Sequence, residues 1–140
     1  MHFLVTAGAT REPLDAVRFL SNVSTGSTGA ALADALAVRG HTVTLLRGEG
    51  ATQPHLVQDV DTFSSTADLE MLLRERLAIG AVNAVVMTAA VSDYRPEQVR
   101  DDKITSDAES LTVRLVRNPK LLPQLKSFSP RPLAVIGFKL

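Results

Sequence analysis

The residues best equipped for chemistry stand early in the chain. From Thr6 to Gly29 the sequence reads TAGATREPLDAVRFLSNVSTGSTG. This stretch offers glycines that let backbone approach a ligand closely, hydroxyl groups, two arginines (Arg11 and Arg18) and one carboxamide, Asn22. It runs into an Ala- and Leu-rich segment at Gly26. A helix beginning there would turn free N–H groups and the positive end of its dipole toward an anion. Phosphate is the natural candidate, although neither the Walker A nor the Gly-x-Gly-x-x-Gly spacing is present. Read without further context, the loop is open to two interpretations, a phosphate site or a structural turn. Asn22 by itself reads as a turn or cap residue.

Four further stretches carry polar groups just after apolar runs. They are Thr88 to Pro96, with Asp93 and the only tyrosine, Tyr94; Asp102-Lys103-Ile104; Val116 to Leu122, with Asn118-Pro119; and Val135 to Leu140, with Gly137-Phe138. Asp93 could take a ribose hydroxyl, orient a metal-bound water or cap nearby N–H groups. Lys103 by itself reads as a solvated surface lysine. The three histidines, His2, His41 and His55, lack metal-ligand spacing. There is no cysteine and no Gly-x-Ser-x-Gly elbow, which excludes thiol chemistry and disulfides and gives no sign of a serine nucleophile.

The elements that must position these groups alternate between strand and helix. Phe3 to Thr6 reads as a buried strand that ends at Ala7-Gly8. Gly26 to Arg39 reads as a helix closed by Gly40. Val43 to Leu46 is a second strand, and a third is expected from about Leu56-Val57 to Phe63. Ser65 to Asp68 has capping-box spacing, and Leu69, Leu72, Leu73 and Leu77 share one helical face. Ala84 to Met87 is the next core strand. The alternation of Leu111, Val113 and Leu115 predicts a peripheral strand, and Asn118-Pro119 predicts an N-cap with proline at the first helical position. Leu133 to Phe138 is the last strand. The order predicts an α/β chain with a Rossmann-like, three-layer fold and a mostly parallel sheet. Because a core strand lies so near the end, a C-terminal truncation is also expected.

Composition narrows the class. The 140 residues suit one domain, and with 45% hydrophobic but only 4% aromatic residues, aliphatic side chains must fill the core. Net charge is zero, from 15 basic and 15 acidic residues, which argues against a surface devoted to nucleic acid or anionic membrane. No apolar run is long enough to span a bilayer and the N-terminus lacks signal-peptide character, so a cytoplasmic protein is expected.

The string from Thr6 to Gly26 strongly resembles the opening of the phosphopantothenoylcysteine synthetases, the ligases that join 4′-phosphopantothenate to cysteine in coenzyme A synthesis. The later stretches resemble that family too: Ala89-Ala90-Val91-Ser92-Asp93-Tyr94, Lys103-Ile104, Asn118-Pro119 and Gly137-Phe138, in the same order over essentially the whole chain. The resemblance implies catalytic roles for Asn22, Lys103 and Arg18. It implies nucleotide contacts from Gly8, Ala9, Thr10, Ala89, Ala90, Val91, Asp93, Gly137 and Phe138. It further implies CTP as a substrate carried with Mg2+, an acyl-cytidylate intermediate, a homodimer, and a flavoprotein decarboxylase as partner or fusion. No resident metal site, nucleic acid or membrane is implied. The chain departs from the family pattern at Ser27, where a basic residue is usual, and at Lys120, where an acid is usual. The family also continues beyond its Gly-Phe pair. Two rivals stand beside this reading. One is a nucleotide-binding module without turnover. The other is a short-chain NAD(P)-dependent reductase with Arg47 meeting a 2′-phosphate, although Gln98 stands where such enzymes carry lysine.

Overall fold

The computed structural model describes residues 1–138; Lys139 and Leu140 lie outside it. Its centre is a five-stranded parallel sheet formed by β1 (His2–Ala7), β4 (Thr42–Gly48), β5 (Asp59–Phe63), β6 (Ala84–Met87) and β9 (Ala134–Gly137), in the order β5-β4-β1-β6-β9. Successive strand side chains point to opposite faces, so an apolar run feeds two cores. Leu4, Leu46 and Val85 pack with Phe63, Leu69, Leu73 and Leu77 on one face. Their chain neighbours Val5, Leu45 and Val86 pack with Ala33 and Val43 on the other. Helix α2 (Thr66–Ala78) and the short α3 (Leu125–Phe128) cover the first face, and α1 (Ser27–Val38) covers the second. This is the expected Rossmann-like, three-layer α/β architecture.

The capping box forms as read. Ser65 Oγ accepts the Asp68 N–H at 3.1 Å and Asp68 Oδ2 accepts the Ser65 N–H at 2.8 Å. Glu12, a buried carboxylate from a distant segment, adds a tertiary cap by accepting the Thr66 N–H at 3.0 Å and the Thr66 hydroxyl. Helix α1 meets β1 through small residues. An added Cβ at Gly29 would stand 2.5 Å from Ala7 Cβ and 3.0 Å from the Thr6 carbonyl.

Four expectations are corrected. The third strand begins at Asp59, because the His55 and Leu56 N–H groups already donate to Asp34 of α1, each at 2.8 Å. The peripheral strand is β8 (Leu115–Arg117), paired antiparallel with β7 (Tyr94–Pro96). Leu111 and Val113 lie outside it; past the Pro96–Leu115 pair the two segments are joined by the Glu97 N–H donating to Arg114 O at 2.9 Å. No helix begins at Pro119. A 3-10 turn starts only at Leu122, and the Asn118 carboxamide is committed elsewhere, its oxygen accepting from Arg95 Nη1 at 3.2 Å and its NH2 donating to Ser92 O at 3.0 Å and Thr66 Oγ1 at 3.3 Å. The first polar loop contains a hairpin, β2 (Arg11–Pro13) with β3 (Phe19–Ser21), that periodicity could not reveal in three-residue strands.

Among the described residues no helix is long and apolar enough to cross a membrane. Gly29→Ala should destabilise the fold by about 1–3 kcal/mol, because the atoms it would strike are backbone and a short side chain that cannot swing away. Denaturant unfolding of the variant against the parent checks this; an unchanged midpoint would refute the close α1–β1 contact.

Candidate nucleotide site at the sheet switch point

From β1 the chain winds outward to β4 and β5, then crosses back to β6 beside β1 and continues to β9. The reversal leaves a crevice beyond the carboxyl ends of β1 and β6, the usual ligand position in such sheets. Here two loops are stitched together. Ala9 and Ala90 form a parallel bridge past the strand ends. The Ala90 N–H donates to Gly8 O at 2.7 Å, and the Thr10 N–H donates to Ala90 O at 3.2 Å. Two buried hydroxyls add side-chain staples: Thr6 Oγ1 accepts the Ala89 N–H at 3.1 Å and Thr10 Oγ1 accepts the Ser92 N–H at 2.9 Å.

A cavity of about 620 Å³ opens beside this junction. Of the expected residues, Asn22, Ala89, Ala90, Val91, Asp93, Gly137 and Phe138 line it. Phe138 is 60% exposed and so belongs to the cavity wall rather than to the core. Asn22 makes one long hydrogen bond from its side chain, Nδ2–H to Val91 O at 3.4 Å. A second recess of about 190 Å³ adjoins the first through Ala89, Ala90 and Phe138 and is walled by Val23 to Gly29. It lies at the start of α1, whose N-cap residue Gly26 supplies no side-chain cap.

Gly8, Ala9 and Thr10 stand in the junction itself, outside the cavity lining. Gly8 has φ 84°, and a Cβ there would come 2.6 Å from Ala51 Cβ, so packing against a neighbouring loop accounts for its smallness. Arg18 and Lys103 are also outside the cavity lining. Arg18 Nη1 donates to Asp15 Oδ2 at 2.6 Å and to Ile104 O at 3.2 Å. Lys103 is exposed on the loop that this arginine holds. Arg47 Nη1 donates to Ala51 O at 2.6 Å, away from the cavity.

Three polar residues outside the expected site set shape the site. Asn118 ties β8 to the Ser92 backbone. Lys120 lines the cavity and reaches Asp93 Oδ1 at 2.5 Å, so the residue that departs from the family pattern neutralises the one carboxylate that lines the cavity among the described residues. Both partners are well exposed, and solvent screening makes such a pair worth little to stability. Asp15 has a fully buried side chain. Burial alone would push its carboxyl up. Hydrogen bonds from the Ile104 and Val17 N–H groups, the Arg18 guanidinium and the Arg18 N–H outweigh that and hold it at about 2. Its place in the Pro-Leu-Asp string was the available signal, but nothing in spacing reveals a partner at Ile104.

A parallel sheet with a reversal in strand order and an open crevice at that reversal, lined by small residues, defines a Rossmann-like α/β module. The whole chain, residues 1–140, matches the DNA/pantothenate metabolism flavoprotein C-terminal domain, and it belongs to that family. It is similar to the coenzyme A biosynthesis bifunctional protein CoaBC of Escherichia coli K12, 37% identical over 99% of this chain and 34% of that protein. The CoaBC of Mycolicibacterium smegmatis is 41% identical over 96% of this chain and again 34% of the relative. The chain therefore spans about a third of the length of the curated relatives it matches. Among solved structures, the DNA/pantothenate metabolism flavoprotein of Streptococcus pneumoniae superposes with a TM-score of 0.87 at 28% identity, covering 99% of this chain and 69% of that one.

The Asp15 geometry fixes an acid response. Its folded-state pKa is depressed, so its contribution to stability is present above the ordinary value of 3.8 and is lost as pH falls toward about 2. Asp15→Asn should lower the unfolding midpoint at pH 7, and the gap to the parent should close between pH 4 and pH 2. Denaturant titrations across that range decide it; a gap independent of pH would show that the carboxylate charge is not what matters.

Proposed function

We propose that this chain is the nucleotide-binding synthetase domain of a cytoplasmic phosphopantothenate–cysteine ligase of coenzyme A biosynthesis, using CTP. The observation that carries the reading is the union of Asn22 with the Ala89–Asp93 segment around one cavity at the sheet reversal, in a chain that belongs to this family. The name of the bifunctional relatives supports the pathway, and their greater length is consistent with fusion to a flavoprotein decarboxylase. The family resemblance also supports a homodimer.

The chemistry asks for two anions to meet. The phosphopantothenate carboxylate attacks the α-phosphate of CTP and expels pyrophosphate. The cysteine amine then attacks the acyl carbon of the acyl-cytidylate and expels CMP. Positioning and charge neutralisation are the main requirements. The cavity is roomy enough for a nucleoside, and Ala89, Ala90 and Gly137 allow its close approach to backbone. The recess at α1 offers helix N–H groups to a phosphate. Asn22 borders the cavity and keeps its carboxamide neutral, so it can donate to the acyl oxygen as negative charge develops in the second step. Arg18 orients the hairpin and the Lys103 loop, and Lys103 supplies a mobile positive charge for the triphosphate. Magnesium fits as an ion carried by the triphosphate, for which one or two carboxylates suffice; Asp93 is the residue that would face it, and the ion would screen phosphate charge.

A turnover assay with phosphopantothenate, cysteine, magnesium and CTP or ATP tests this. CTP-dependent formation of the cysteine adduct is expected. Asn22→Ala should slow adduct formation by about a hundredfold or more, the scale of losing an oxyanion donor, while pyrophosphate release persists. Nucleotide binding without turnover would favour a non-catalytic module, and absence of both would refute the ligase reading.

A further inference from the structure

Asp15 does more than order its own turn. Its Oδ1 accepts the Val17 N–H at 2.9 Å and the Arg18 N–H at 2.8 Å. Its Oδ2 accepts Arg18 Nη1 at 2.6 Å and the backbone N–H of Ile104, a residue 89 positions further on, at 3.0 Å. Arg18 Nη1 completes the clasp on the Ile104 carbonyl at 3.2 Å. Both backbone polar groups of Ile104 are thus held by the hairpin turn. A second tie, the Arg100 N–H to Leu14 O at 3.2 Å, runs between the same two segments. Between β7 and β8, residues 97–114 form no helix or strand. These bonds therefore substitute for secondary structure in fixing the loop.

A fully buried carboxylate is uncommon unless its charge is matched by donors. Ordering a turn between three-residue strands requires only Oδ1, as in an ordinary Asx turn. The second oxygen is spent wholly on Arg18 and the distant loop. We propose that Asp15 is a positioning residue for ligation: through the Ile104 backbone it sets Lys103 at a fixed distance from the turn that leads, by way of β3, to Asn22. This rests on the ligase reading above. Holding the loop before nucleotide arrives removes part of the ordering that binding would otherwise require. The benefit appears in nucleotide affinity more than in the chemical step.

Asp15→Asn is nearly isosteric. With its oxygen in the turn, it presents NH2 to the Ile104 N–H and to the guanidinium; rotated, it breaks the turn. The variant should raise KM for CTP roughly tenfold, within the range of coupling between contacting groups, with kcat changed less than about threefold. In a Lys103→Ala background the same substitution should change KM less than about twofold, because the residue being positioned is gone. Hydrogen exchange at the Ile104 amide should accelerate in Asp15→Asn. Ile104→Pro removes the donor from the loop side with Asp15 left in place, and through KM for CTP it reads the same tether should Asp15→Asn fail to fold. A full KM penalty persisting without the Lys103 amine would overturn the proposal, as would unchanged exchange at Ile104. Absence of ligation by the unaltered protein would sink the ligase reading itself. It is distinguishable from failure of the tether, because exchange at Ile104 needs no substrate.

Discussion

The parallel bridge between Ala9 and Ala90 carries the β1–β6 pairing past the ends of both strands, into the loops that border the cavity. Backbone groups leaving a buried strand end must find partners, since an unpaired N–H or C=O without water is costly. Here the two loops satisfy each other, and the Thr6 and Thr10 hydroxyls take what remains. Ala89, Ala90 and Asn22 then face a cavity whose floor is hydrogen-bonded backbone. The hairpin, the 3-10 turn and the end of β9 are arranged around that floor.

The rest of the site combines apolar anchoring, with Met87 and Leu121 of the cavity wall in the core and Ala89 and Val91 packed against it, with long-range polar contacts. Glu12 caps a helix more than fifty residues away, Asn118 pins the Ser92 backbone, and Asp15 holds Ile104. Each uses a buried or nearly buried polar group with its hydrogen bonds met, a cost in desolvation that is offset only when geometry is good. The core beneath is mostly aliphatic, with Phe63 and Phe128 added on one side, and is built on both faces of the sheet. The exposed Lys120–Asp93 pair belongs to a different regime. It decides the charge of the cavity mouth without contributing much to folding.

Much of the fold was legible because it rests on local signals. The apolar runs at Phe3–Thr6, Val43–Leu46 and Ala84–Met87, the capping box at Ser65–Asp68 and the leucine face of α2 each depend on residues within one or two turns of each other. The third strand shifted because Asp34, on another element, took two N–H groups. The Asn118 N-cap failed because its carboxamide oxygen, the atom a cap would use, accepts from Arg95 Nη1, while Thr66 and Ser92 hold its NH2. In the site, Asn22, Ala89 to Val91, Asp93, Gly137 and Phe138 could be named from motif order, and they share one cavity. Gly8, Ala9 and Thr10 belong to the same string yet serve the junction beneath it.

By itself, then, the sequence determined the alternation of strands and helices, the apolar faces and the family, because these are written in residue type and spacing. Tertiary structure alone decided which polar groups meet. A carboxylate's partner is set by where the backbone brings a distant donor, as Asp15 finds Ile104 and Lys120 finds Asp93, and no spacing along the chain encodes that distance. It also decided that Arg18 holds a loop while Asn22 borders the cavity, although the two stand only four positions apart: one turns inward to a buried carboxylate, and the other follows the strand out to the sheet's open end.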